Sequence, residues 1–82
     1  MPVISRFYGI IIKMFFSDHL PPHFHAIYGE YNALFDINTL DIIEGDLLNR
    51  AKKLVVEWSK LYKLELMNMW DSQDITKLPD LQ

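Results

Sequence analysis

The chain contains no cysteine. That absence excludes a disulfide framework, a thiolate metal site and a cysteine nucleophile, and it fits a reducing compartment. Nor does any stretch approach the roughly 18 consecutive apolar residues of a membrane-spanning helix. The first sixteen residues are apolar enough to suggest a secretion signal, but Lys13 interrupts them and no small-residue cleavage site follows. Internal repeats and low-complexity tracts are missing as well. A strong charge of one sign is also missing: the formal net charge is only −3, which argues against non-specific DNA binding driven by bulk charge. Together these absences predict a soluble cytoplasmic protein with no membrane partner.

What is present is an 82-residue chain in which half the residues are hydrophobic. That length allows one domain, placed at residues 1–70, with residues 71–82 expected to form a flexible tail because they lose all periodicity and include Pro79. A domain this short buries only about 60% of the surface of its unfolded chain, so a partner or a second copy is expected to stabilise it. Charge is unevenly placed. Residues 47–70 carry five basic groups (Arg50, Lys52, Lys53, Lys60, Lys63) against two acids (Glu57, Glu65), whereas the rest of the chain carries three basic and nine acidic groups.

Period-2 patterning dominates the first half. Tyr8, Ile10, Ile12, Met14 and Phe16 define an apolar face of a strand over residues 8–16, with Lys13 on the other face. Pro21 and Pro22 cannot continue a hydrogen-bonded ladder. A second strand covers residues 23–28 and a third residues 31–37, joined by Gly29-Glu30 as a two-residue hairpin with glycine where a type II′ turn needs positive φ. Asn38-Thr39 makes a weaker turn into a short fourth strand over residues 40–44. The second half changes period: Leu47, Ala51, Leu54, Val55, Trp58, Leu61, Tyr62, Leu66 and Met69 recur at steps of three and four, one stripe of a long amphipathic helix with Asp46 as N-cap. The predicted fold is α+β: an antiparallel four-stranded meander with one long C-terminal helix on one face (ββββα).

The hairpin fixes the cross-strand pairs. Tyr28 meets Tyr31, Ala26 meets Ala33 and Phe24 meets Phe35 on the helix-covered face, so His25 pairs with Leu34 and His23 with Asp36 on the other. A two-residue turn at Asn38-Thr39 would add Asp41 opposite Asp36 and Ile43 opposite Leu34. This row carries four readings, the last of them a partner-binding role for the histidines. One is a solvated His–Asp decoration. The second is a metal site built from His19, His23, His25 and Asp41, with a zinc-like divalent ion as the cofactor it would take, because two imidazoles in His-x-His spacing share a strand face. The third is acid–base catalysis by His23, His25 and Asp36, of the kind a small nuclease or phosphodiesterase would use. No reaction follows from the residues themselves, and a nuclease-like hydrolase is the enzymatic alternative.

Two further features stand out. Glu65 falls inside the apolar stripe and there requires a partner, for which Arg6 is the best placed, as a buried structural ion pair. Leu64 and Met67 flank Lys60 and Lys63 beside the stripe, a pattern that suits a partner-binding surface. The five basic residues of the helix offer a nucleic-acid reading, less favoured than a solvated face.

Several of these stretches coincide with one family. Ser5-Arg6-Phe7-Tyr8-Gly9, Pro21-Pro22-His23-Phe24-His25-Ala26, Tyr28-Gly29, Arg50-Ala51 and Glu57-Trp58 together resemble the bacterial domain of unknown function 4160, with His19, Asp36, Glu65 and Trp70 also at fitting positions. Leu40 stands where that family usually has a turn glycine, and Leu48 where a proline often opens the helix. The resemblance implies a small cytosolic protein of unassigned activity, often encoded beside another small domain of unknown function, numbered 2442, in a toxin-antitoxin-like pair. It favours a protein-interaction module whose partner is a second small protein or a further copy of the chain.

Overall fold

The computed structural model describes residues 3–16 and 21–82. Five strands form one antiparallel sheet in sequential order: β1 (Val3–Phe7), β2 (Ile10–Lys13), β3 (His23–Tyr28), β4 (Tyr31–Asp36) and β5 (Ile42–Gly45). Two helices follow, α1 (Asn49–Leu61) and α2 (Lys63–Ser72). The class is α+β, with five strands in place of four and two helices in place of one long helix.

The extra strand comes from a reversal hidden inside the alternation. Tyr8 and Gly9 both have positive φ, 50° and 79°, the conformation of a two-residue type I′ hairpin turn, and Phe7 pairs with Ile10 across it. Such a turn leaves Ile10, Ile12 and Met14 on the buried face as expected. Tyr8, expected on that face, stands at 60% exposure.

The β3–β4 hairpin has the predicted register throughout, from Tyr28 opposite Tyr31 to His23 opposite Asp36. The next connection departs from expectation. Asp36 N donates to Asp41 O (2.9 Å) and Leu40 N to Asp36 O (2.8 Å), so the turn spans residues 37–40 rather than Asn38-Thr39 alone. Leu40 adopts φ 62° within it. Phe35 then faces Ile42, but a bulge places Glu44, not Ile43, opposite Leu34. Gly45 ends the strand with φ 79°, and a Cβ there would lie 2.1 Å from the Asn32 carbonyl oxygen. Only glycine permits so close an approach of β5 to β4.

The helices begin and break where the sequence carries no strong signal. Leu48 occupies the N-cap position of α1 without a side-chain cap bond. Asp46, the expected cap, instead donates its amide to Asn32 O (3.2 Å). Tyr62, at φ −119° and ψ 22°, leaves helical geometry and divides α1 from α2. One turn earlier, the buried Ser59 hydroxyl lies 2.8 Å from Val55 O and 3.1 Å from Val56 O, a side-chain competition for helix carbonyls that bends helices. The apolar stripe changes phase at this break. α1 buries Ala51, Val55, Trp58 and Ser59, and α2 buries Leu66 and Met69. Leu61, expected in the core, is exposed, and so are Glu65 and Arg6. The buried Arg6–Glu65 pair is therefore not formed: neither charge is out of water, and neither needs the other.

The core lies between the sheet and the helices. Phe24 stacks on Phe35 with ring centroids 5.4 Å apart, and Trp58 packs on Phe24 (6.1 Å) and Phe7 (5.4 Å). Residues 74–82 form no helix or strand, yet they are tied to the fold. Leu78 N donates to Ile4 O (2.9 Å). The Pro79 carbonyl accepts from both Ser5 Oγ (3.2 Å) and Trp58 Nε1 (2.8 Å). Leu81 is buried, worth about 1.5–3 kcal/mol for a leucine side chain. The segment expected to be a loose tail is a strap along the outer edge of β1.

Candidate functional site

Pro21 and Pro22 lead into β3 and fix the approach to His23. His23 Nδ1 donates to Pro21 O at 2.8 Å. A carbonyl only accepts, so the proton sits on Nδ1, and in the neutral ring Nε2 carries the lone pair. The ring is fully buried, its centroid 5.0 Å from Trp70 and 5.6 Å from His25. Phe16 packs on Trp70 (5.6 Å) and Phe15 meets His25 edge-on (4.6 Å). Alternation places His23 on the sheet face away from the core, at the first residue of β3, where Trp70 from the last turn of α2 packs against its ring. Sequence periodicity gives no sign of that cover.

Asp36 faces His23 in register but serves another purpose. Its Oδ1 accepts from Asn38 N (2.7 Å) and Thr39 N (3.2 Å), an Asx turn that shapes the β4–β5 connection. With His23 Nδ1 directed at Pro21 and Asp36 at the loop, the expected orientation of His23 by Asp36 is not made. Asp41 is exposed, its amide donating to Thr39 Oγ1 (3.2 Å). Among the described residues no group of three or more His, Asp or Glu side chains is placed to hold a metal ion. His19, the remaining member of the expected ligand set, lies outside the described residues. His23 and His25 are thus brought together, while Asp36 and Asp41 are not joined to them.

The residues expected to form a partner-binding surface, in contrast, converge. Lys60, Leu61, Lys63, Leu64 and Met67, with Asn38 from the β4–β5 connection, line a concavity of about 470 Å³ at the break between the helices. Leu61 and Leu64 are 61% and 71% exposed, whereas Met67 is half-buried and packs on the core. Lys63 Nζ donates to Asn38 O, fixing one rim of the hollow to the sheet. A second hollow of about 480 Å³ lies on the outer face of α1, lined by Asn49, Lys52, Lys53, Val56, Glu57 and Lys60. Lys60 borders both. The sequence does not mark Leu61 or Asn38 as part of this hollow. Leu61 stands three residues before Leu64, a helical neighbour spacing that could have joined them, but it also fits the core stripe. Asn38 carried no signal.

No helix among the described residues is long and apolar enough to cross a membrane. The fold and these surfaces define a small two-layer α+β domain, five antiparallel strands carrying two helices on one face, with an apolar and basic hollow at the helix break. Residues 9–71 match the family model described as domain of unknown function (DUF4160), and the chain belongs to that family, as its sequence resemblance implied. No curated protein and no solved structure matches it.

Proposed function

We propose that this protein is a protein-interaction module whose helix break receives an apolar segment flanked by acidic residues from a second small protein. The observation that carries the reading is the gathering of Leu61 and Leu64, two of the most exposed large hydrophobic side chains, in one hollow rimmed by Lys60 and Lys63. An exposed apolar pair in a concave site costs solvation that a docked side chain recovers. The lysines select acidic flanks, and Lys52 and Lys53 extend the basic surface along α1. A toxin-antitoxin-like or regulatory gene pair is the setting in which such a module acts.

The test is co-expression with the small protein encoded beside it, followed by size-exclusion chromatography. Wild-type protein co-elutes with its partner. Leu64→Asp abolishes co-elution while leaving the melting temperature within about 2 °C of wild type, because the side chain is mostly in water already. Two separate peaks for the wild-type pair would sink the proposal.

One observation favours a second reading, metal binding by the histidines. A ligand histidine commonly donates its other ring nitrogen to a backbone carbonyl, as His23 Nδ1 does to Pro21 O. Zinc titration by calorimetry on wild-type protein and on His23→Ala tests it, and heat that survives the substitution discards it.

A further inference from the structure

The helices cover one face of the sheet, and on the other only the His23 end of β3 meets them, through Trp70. Ile10, Ile12, Ala26, Ala33 and Phe35 face the helices and are fully buried. On the opposite face Ile11, Ile27, Leu34 and Ile43 are half-buried and stand outside the core cluster. Ile11 and Ile27 are direct cross-strand partners. Beside them Lys13, His25, Leu34 and Glu44 form one continuous row from β2 to β5. The charges on this face are polarised across the strands. Arg6 and Lys13 lie on β1 and β2, while Asp36 and Glu44 lie on β4 and β5. β3, the third strand of five, runs between the two halves and contributes Ile27.

We propose that this face is the contact between two copies of the chain, packed sheet on sheet about a two-fold axis that runs along β3. Rotation about that axis lays β1 and β2 of one copy over β5 and β4 of the other, so each copy's Arg6 and Lys13 meet the other's Glu44 and Asp36. A two-fold axis running across the strands would instead set basic residues over basic ones, and the charge pattern rejects it. Packed sheets lie about 10 Å apart, a gap that an arginine and a glutamate span together. Within one chain, Arg6 and Glu44 lie on the outer strands β1 and β5, four strand spacings or about 19 Å apart, too far to touch. Their complementarity is therefore available only between copies. Ile11, Ile27 and Leu34 supply the apolar centre that the interface excludes from water.

Sedimentation equilibrium of the full chain at low salt, from micromolar to hundreds of micromolar, tests this. The expected mass is twice the 9.7 kDa of the chain. Arg6→Glu alone and Glu44→Arg alone each place like charges together twice per dimer and raise the dissociation constant by about tenfold or more. An equimolar mixture of the two variants restores association, because the heterodimer has opposite charges at both contacts. That recovery also shows that each variant is folded. A wild-type chain that remains monomeric throughout would overturn the proposal. So would dimers indifferent to both reversals, a mixture without recovery, or a different protein seated on this face of a monomer.

Discussion

At the scale of single residues, the fold is held by backbone conformations that the side chains do not favour. Tyr8 is a non-glycine residue at φ 50°, in the first position of a type I′ turn, where asparagine followed by glycine is the preferred pair. Tyr8→Asn should therefore stabilise the protein by about 0.5 kcal/mol or more, raising the melting temperature by a few degrees. Thermal unfolding followed by circular dichroism measures it, and a lower melting temperature would show that the exposed ring contributes more than its backbone costs. Leu40 is a related case. Its φ of 62° is a conformation that favours glycine, and its buried side chain offsets part of the strain. Among the histidines, the sequence located His23 opposite Asp36, because the Gly29-Glu30 hairpin sets that register. It did not reveal that the two side chains hydrogen-bond elsewhere, since Pro21 O and the Asn38 and Thr39 amides are ordinary backbone groups with no sequence signature.

At the scale of elements, legibility follows the strength of periodic signals. β3 and β4 were readable because alternation and a turn glycine agreed. The β1–β2 hairpin was hidden because Tyr8 keeps the parity of Ile10, so a turn and a continuous strand give the same pattern. The division of the helix at Tyr62 has neither proline nor glycine to announce it, and the stripe passes through it with only a small phase error. That error placed Leu61 in the core and Glu65 in a buried pair. The strap of residues 74–82 has no period at all, and its role rests on three hydrogen bonds and one buried leucine. Deleting those residues should lower the unfolding free energy by about 3 kcal/mol or more, against about 1 kcal/mol for Ser5→Ala, which removes only one donor to Pro79 O. Urea denaturation of the two variants distinguishes a strap that stabilises from one that merely rests on β1, since in the latter case truncation leaves the midpoint unchanged.

At the scale of the whole molecule, one sheet face is buried and the other is offered to a partner of the same kind. An 82-residue domain with a single covered face has little stability to spare, and association adds to it by mass action. The melting temperature should rise by several degrees as the protein is concentrated from micromolar to hundreds of micromolar, and the rise should shrink at high salt as the charges on the face are screened. Calorimetry over that range reads the effect directly, and a melting temperature independent of concentration speaks against it. The bond from Leu78 to Ile4 has a separate consequence for the geometry of the chain. It sets Ile4 of the first strand beside Leu78 of the last segment at the same sheet edge, so a short peptide could join those two segments and new ends could be opened at the exposed Gly29-Glu30 turn. Such a circularly permuted chain would keep the same layers and the same strand order in space, with β4 as its first element.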